Sequence, residues 1–236
     1  MTDTTRLGLP LVQAAQAQKH VTVNAALVRL DGLVQLTLQS KSLTLPPAAV
    51  VDGIAYAVPA GAVNGWGGQD GKVAIGANGG WEFVQPTRGW RAMVLDEGAS
   101  AIHDGSGWRI GMATLSPFNA GMSLGVAEID HAVTAGPVSV TAALIPANVV
   151  VIGATARVTQ AITGTLASWS LGNPGASGRY GTGLGLGQGS WARGLLSQPT
   201  AFYAPEPMQL DAVGGDFATG SVRIAVHYIE IALPDL

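Results

Sequence analysis

There is no cysteine in these 236 residues. Disulfides, thiolate metal sites and zinc fingers are excluded together, and stability must come from packing or from assembly. Charge is scarce as well: Asp, Glu, Lys and Arg make up 11% of the chain, too little to coat the outer faces of long surface helices. The 12 basic residues are scattered and the net charge is -3, so nothing resembles the clustered Lys and Arg that neutralise phosphates. Nucleic acid is not an expected partner. No apolar run approaches the roughly 18 residues of a membrane helix, and no membrane partner is expected. Met1-Thr2-Asp3-Thr4-Thr5-Arg6 lacks the basic start of an export signal. The expectation is a protein made in the cytoplasm without export.

What is abundant is glycine, with 33 residues, alongside 13 prolines. Such a chain favours short strands joined by tight turns, and a mainly β fold follows. A hydrophobic content of 47% with so little charge leaves apolar surface to hide, which points to obligate association with copies of itself or with a larger particle.

Residues 1–21 read as an extended arm, because Pro10 breaks an early helix and Gln13 to His20 show no apolar stripe. Arms of this kind lie on a neighbour. Thr22 can cap a helix in which Leu27, Leu30, Val34 and Leu38 recur at helical spacing. Asp31-Gly32 supports a competing reading, a hairpin turn within residues 22–38. Pro46-Pro47 closes an arm-and-helix segment over residues 1–45.

From 46 to 112 a turn followed by an aromatic recurs: Asp52-Gly53 before Tyr56, Gly65-Trp66, Gly80-Trp81, Gly89-Trp90, and Asp104-Gly105 before Trp108. Asp-Gly and Gly-Gly suit tight hairpins, so this segment is expected to be a small Gly/Trp-rich antiparallel β domain. Residues 113–136, with Ser116-Pro117, Asn119 and Gly121, read as a connector. Residues 137–236 carry apolar and alternating runs, such as Val222, Ile224, Val226 and Tyr228 interleaved with Arg223, Ala225 and His227. Those runs predict a C-terminal β-sandwich, jelly-roll-like. Gly172 to Gly194 reads as its longest irregular piece.

The candidates for chemistry are few. His20, His103, His131 and His227 have no second ligand residue at a metal spacing, so no metal is expected. Asp130 and His131, as neighbours on a strand, face opposite sides. Carboxylate pairs exist at Asp96-Glu97, Glu128 with Asp130, and Asp211 with Asp216, yet nothing marks one as the facing pair of a glycosidase. No nucleophile elbow is present, and Gly183 to Gly189 lacks the lysine of a phosphate loop. The expectation is a non-enzyme with no catalytic residues and no cofactor. Trp66, Trp81, Trp90 and Trp108 follow glycines at turn ends, where an indole closes a small sheet. Trp169 and Trp191 flank the Gly-rich piece, and an indole face suits a sugar ring while Arg bonds to its hydroxyls or acid groups. Arg179, Tyr180, Trp191 and Arg193 are therefore the candidate glycan-binding residues. Gln16, Gln18, Lys19, His20 and Asn24, an amide-rich set suited to a partner's backbone, are the candidates for attachment and assembly.

Leu9-Pro10, Gln16-Ala17-Gln18-Lys19-His20, Thr22, Asn24, Ala26-Leu27 and Leu30-Asp31 carry a resemblance. They are similar to the N-terminal signature of unknown-function domains encoded in alphaproteobacterial prophages and gene transfer agents. It is strongest over residues 9–108, and the tail from about Val149 resembles a domain often found behind the signature. One departure is Ala25, where the family usually has an acid; Thr22 keeps half of a capping box. The resemblance implies a virion protein of a phage-like particle or gene transfer agent, part of a head spike or fibre and most simply its base. It also implies a homo-oligomer of threefold or fivefold symmetry with other virion structural proteins (capsid or spike and fibre) as partners; the glycan-binding candidates above would make host surface polysaccharide its ligand.

Overall fold

The structure, a computed structural model, describes residues 3–13 and 19–235. The chain divides into two compact units, Met1–Met112 and Ala113–Leu236.

In the first unit, helix α1 spans Lys19–Leu33. It starts three residues before Thr22, and the hairpin alternative is not formed. Its inward side carries Asn24, Leu27, Val28 and Asp31, whereas Leu30 and Val34 are exposed. The expected stripe of Leu27, Leu30, Val34 and Leu38 is thus corrected, and the reason is what covers the helix. Residues 3–13 fold back over it, and their backbone N–H groups need polar partners.

Asp31, fully buried, supplies two of these partners and holds a hydroxyl besides: its carboxylate accepts from Arg6 N at 3.0 Å, Leu7 N at 2.6 Å and Thr4 Oγ1 at 2.8 Å. The Asn24 amide accepts from Val12 N at 2.8 Å and donates to Val12 O at 3.0 Å. In return the Arg6 guanidinium donates to the carbonyls of Asp31, Gly32 and Gln35, each at 3.1 Å, which caps the end of the helix. The described part of the arm therefore packs on its own chain.

After α1 the chain forms β1 (Thr37–Leu38), β2 (Ala55–Ala57), β3 (Val73–Ala77), β4 (Gly80–Val84), β5 (Arg91–Val94), β6 (Ala99–His103) and β7 (Trp108–Ile110). These build one sheet in the order β4-β3-β2-β1-β5-β6-β7. The tight hairpins at Gly79-Gly80 (β3–β4) and Asp104-Gly105 (β6–β7) are antiparallel as those turns predict, but Asp52-Gly53 makes no hairpin: it precedes β2, and β1 pairs in parallel with both β2 and β5. Leu38 is fully buried at this central position. The arm-and-helix segment is thus part of the β domain, not a separate piece ending at residue 45. Gly32 lies where α1 meets the sheet: a Cβ there would stand 2.6 Å from Ile75 Cγ2, so glycine in this helix serves close packing. On the other face of the sheet, Tyr56, Trp66 and Trp81 form a mutual cluster with ring centroids 5.3–5.8 Å apart. Trp90 and Trp108 pack against the main core.

The second unit is a sandwich of antiparallel sheets. Its strands are β8 (Met112–Leu115), β9 (Gly121–Ala132), β10 (Val138–Ile145), β11 (Val149–Gly164), β12 (Ser168–Asn173), β13 (Ala176–Leu184), β14 (Trp191–Phe202), β15 (Glu206–Val213) and β16 (Phe217–Ala232). One sheet runs β10-β15-β12-β13 and the other β14-β11-β16-β9-β8. Counting β9 to β16 as one to eight, the orders read 2-7-4-5 and 6-3-8-1, the double Greek key of a jelly roll. Trp169, Leu171, Met208, Leu210, Val222, Ile224 and Val226 fill the space between the sheets.

Two expectations are corrected in this unit. Residues 113–136 are not a connector: the Ser116-Pro117 to Ala120 stretch is the turn between β8 and the long strand β9, which pairs with β16 along its whole length. Gly172 to Gly194 is not a long loop: β12 and β13 pair across it, as Trp169 with Leu184 and Leu171 with Gly181. Only the stretch between β13 and β14 is irregular.

His131 and Asp130 do face opposite sides: Asp130 is exposed, while His131 is buried with its Nε2 2.7 Å from Ser139 Oγ. Ser139 Oγ already accepts from Thr134 N at 2.9 Å and Thr134 Oγ1 at 3.0 Å, so its own proton belongs to His131 Nε2. The imidazole is therefore neutral, and burial pushes its pKa below the ordinary 6.5. Below that value the unfolded chain binds a proton the folded one refuses. Stability from neutral His131 is complete above the unfolded pKa and is lost as pH falls through the lower folded one. Thermal unfolding between about pH 7 and pH 5 should show this loss, and His131→Gln, which keeps an acceptor but does not titrate, should reduce it. An identical pH dependence in the variant would contradict the assignment.

Candidate functional site

The outward face of the five-stranded sheet holds the densest set of charged side chains in the second unit. Register fixes who stands beside whom. Trp191, Arg157, Arg223 and Asp130 form one row across β14, β11, β16 and β9. Arg193, Thr155, Ala225 and Glu128 form the next. The small residues Ala225 and Thr155 leave an open recess of about 510 Å³ between the long side chains.

The cations in this recess are not equivalent. Arg223 donates from Nε at 2.8 Å and from a terminal nitrogen at 2.7 Å to the Asp130 carboxylate, with Glu128 a further 3.9 Å contact. This fork holds the Asp130 carboxyl below its ordinary pKa. Arg193 places its guanidinium 5.8 Å from the ring centroid of Trp191, a cation–π distance. Among the described residues no carboxylate pairs with Arg157 or Arg193. Trp191 is 62% exposed, so much of its ring is open to a ligand.

A second recess of about 280 Å³ shares Thr155 and Arg193 and continues the groove past Ile152, Leu195 and His227. Thr155 Oγ1 and His227 Nε2 lie 3.1 Å apart on its floor. Beyond it the face turns apolar: Leu124, Val126, Leu195 and Ile231 are all more than half exposed, and Ile229 stands opposite Leu124.

Of the glycan candidates, the fold brings Trp191 and Arg193 together and separates the other two. Tyr180 is 2% exposed and belongs to the sandwich core; burial pushes its phenol pKa up, with Arg179 nearby opposing the shift. It cannot stack on a ligand, because its side chain points inward from β13. Arg179 is exposed on the other sheet, over the ring of Phe202 at 5.8 Å. Trp169 is a core residue whose indole N–H donates to Gly185 O at 3.0 Å. Sequence spacing missed Arg157 and Arg223, which lie far from Trp191 along the chain. The strict alternation in Val222 to Tyr228 was the available signal for Arg223, since it places Arg223 on the outward face.

Of the attachment candidates, Gln16 and Gln18 lie outside the described residues. Lys19 opens α1, and His20 is half-buried in its first turn. Asn24 is corrected: its amide is occupied by Val12 of the arm, so it orders the chain itself. The carboxylate pairs are engaged elsewhere, with Glu97 beside Lys41 at 3.5 Å and Asp211 accepting from Ser177 and Gln209 at 2.7 Å. Asp104, buried in the first unit, accepts from the N–H groups of Ser106 and Gly107 and from the Ser106 hydroxyl and Arg109. Burial alone would raise its pKa, but these donors hold the carboxyl well below the usual carboxylate range. Among the described residues no three His, Asp or Glu side chains converge as a metal site, and no helix is long and apolar enough to cross a membrane.

A jelly-roll sandwich with a cationic, tryptophan-edged groove on one outer face is thus the class the second unit defines. Residues 23–109, which lie within the first unit, match a family described as a protein of unknown function (DUF2793). No curated protein matches the chain. Among solved structures, the chain is similar to a chain of the cyanophage Pam1 capsid asymmetric unit, at 21% identity and a TM-score of 0.35. That likeness covers 50% of this chain and 91% of the other.

Proposed function

We propose that this chain is a structural virion protein of a phage-like particle or gene transfer agent. In this reading it is the base of a head spike or fibre that joins other virion proteins and presents its sandwich for host-surface attachment. It binds and builds and does not catalyse. The resemblance over residues 9–108 supports the setting. The observation that carries the building role is the apolar half of the outer sheet face, where Leu124, Val126 and Ile231 stand in water on one free chain. A contiguous apolar surface of this kind is buried in a stable assembly. The partner proposed for it is a further copy of this chain.

Light scattering coupled to size exclusion tests this. The full chain should give a small multiple of 23.9 kDa, and Leu124→Glu with Ile231→Glu should return it to one copy. Both side chains already face solvent, so the sandwich itself should fold. A monomeric full chain at micromolar concentration would overturn the reading.

A second reading, that the chain binds host capsule or lipopolysaccharide sugar, is favoured by one observation. Exposed Trp191 and Arg193, which has no carboxylate partner among the described residues, share a groove, and ligand sites on rigid sandwiches combine such an apolar face with a few polar groups.

A further inference from the structure

The distribution of positive charge in the second unit is uneven in a way packing does not require. Residues 113–236 contain four basic side chains, Arg157, Arg179, Arg193 and Arg223, against seven acidic ones. Three of the four line a single recess, although the unit as a whole is negative. Arg157 and Arg223 are direct cross-strand neighbours, an arrangement that like charges disfavour. Asp130 and Glu128 relieve only Arg223. Arg157 and Arg193 are left facing the same space without an ion-pair partner among the described residues, Glu128 beside Arg223 lines its opposite side, and Trp191 stands at its edge.

We infer that this groove is built for a carboxylate-bearing saccharide, a hexuronate unit within a longer glycan, which deepens and rests on the polysaccharide-binding reading above. The roles follow from the chemistry of each group. Arg157 and Arg193 supply planar donor forks that match a carboxylate. The open face of Trp191 takes the C–H side of the sugar ring. Thr155, on the floor between the two recesses, is placed for a hydroxyl. The Asp130–Arg223 fork fixes the far wall and sets a negative edge that orients an anionic ring toward Arg157. The continuation of the groove past Thr155 gives room for the neighbouring sugar of a chain, so an oligomer fits better than a single acid.

Calorimetric titration of the full chain tests this with three probes: an oligogalacturonate, a neutral oligoglucoside of equal length, and inorganic phosphate. The oligogalacturonate should bind, weaken as salt is raised, and lose about tenfold or more in affinity with Arg157→Gln or Arg193→Gln. Trp191→Ala should reduce binding, and Arg179→Gln, on the other sheet, should leave it unchanged. All four side chains are exposed, so an unchanged unfolding midpoint will confirm intact folding. Equal binding of acidic and neutral oligomers, unaffected by the arginine variants, would overturn the preference for acid while leaving a sugar site in place. Phosphate binding without saccharide binding would overturn it as a bare anion site. No binding by any probe would remove both it and the polysaccharide reading, with the assembly reading untouched.

Discussion

Asp31→Ala should destabilise the N-terminal unit by about 3–5 kcal/mol, among the largest effects a single substitution there can have. The carboxylate is 2% exposed and accepts three hydrogen bonds from the arm. Removing it leaves the buried Thr4 hydroxyl and the part-buried N–H groups of Arg6 and Leu7 without this acceptor, at about 1–3 kcal/mol for a donor that water cannot reach and less for one it can. The arm then loses its hold on α1, and the Arg6 guanidinium loses the geometry in which it caps the helix carbonyls. A drop of about 12 °C or more in the unfolding midpoint of this unit is expected. Asp31→Asn keeps one acceptor oxygen but turns an NH₂ toward donors, so it should fall between the two. A midpoint within about 2 °C of the parent for Asp31→Ala would show that the arm is not held in this way.

Trp169→Ala should cost the sandwich about 3–5 kcal/mol. The indole is 1% exposed at the centre of the core, and its N–H holds Gly185 O at the start of the turn into β14. Two losses combine: the cavity left between the sheets, and the tether on the one irregular stretch of the former glycine-rich region. Trp169→Phe fills most of the volume and separates them, so it should recover the packing term and leave only the tether unmade. Chemical denaturation followed by circular dichroism reads both. Equal stability of the alanine variant and the parent would mean the core is centred elsewhere.

Much of the architecture was legible because it follows from local rules. Turns at Asp52-Gly53, Gly79-Gly80 and Asp104-Gly105 punctuate the first sheet, since glycine adopts the backbone angles such turns demand. The period-two pattern at Val222 to Tyr228 places β16 with one face in the core. The Gly172 to Gly194 region misled for the opposite reason. Its glycines mark close approach, as at Gly194, where a Cβ would stand 2.1 Å from Tyr180 O, and a residue absent because a neighbouring strand is near looks the same as one absent for flexibility. The helix misled because its packed face is polar: Asn24 and Asp31 serve the arm's backbone, and an apolar stripe is not the pattern such a helix shows.

By itself, then, the sequence determined the class: mainly β, free of cysteine, poor in charge, with its hairpins in place and a sandwich at the C-terminal end. These depend on composition and on spacing within a few residues, where backbone sterics and the side-chain period act directly. Only the tertiary structure decided that the arm clasps its own helix, that Tyr180 turns inward, and that Arg157, Arg193 and Arg223 meet beside Trp191. Those outcomes depend on which strands pair and in what register. A shift of one residue sends every side chain of a strand to the other face, and nothing in the local pattern of β11 or β14 states which neighbour it will have.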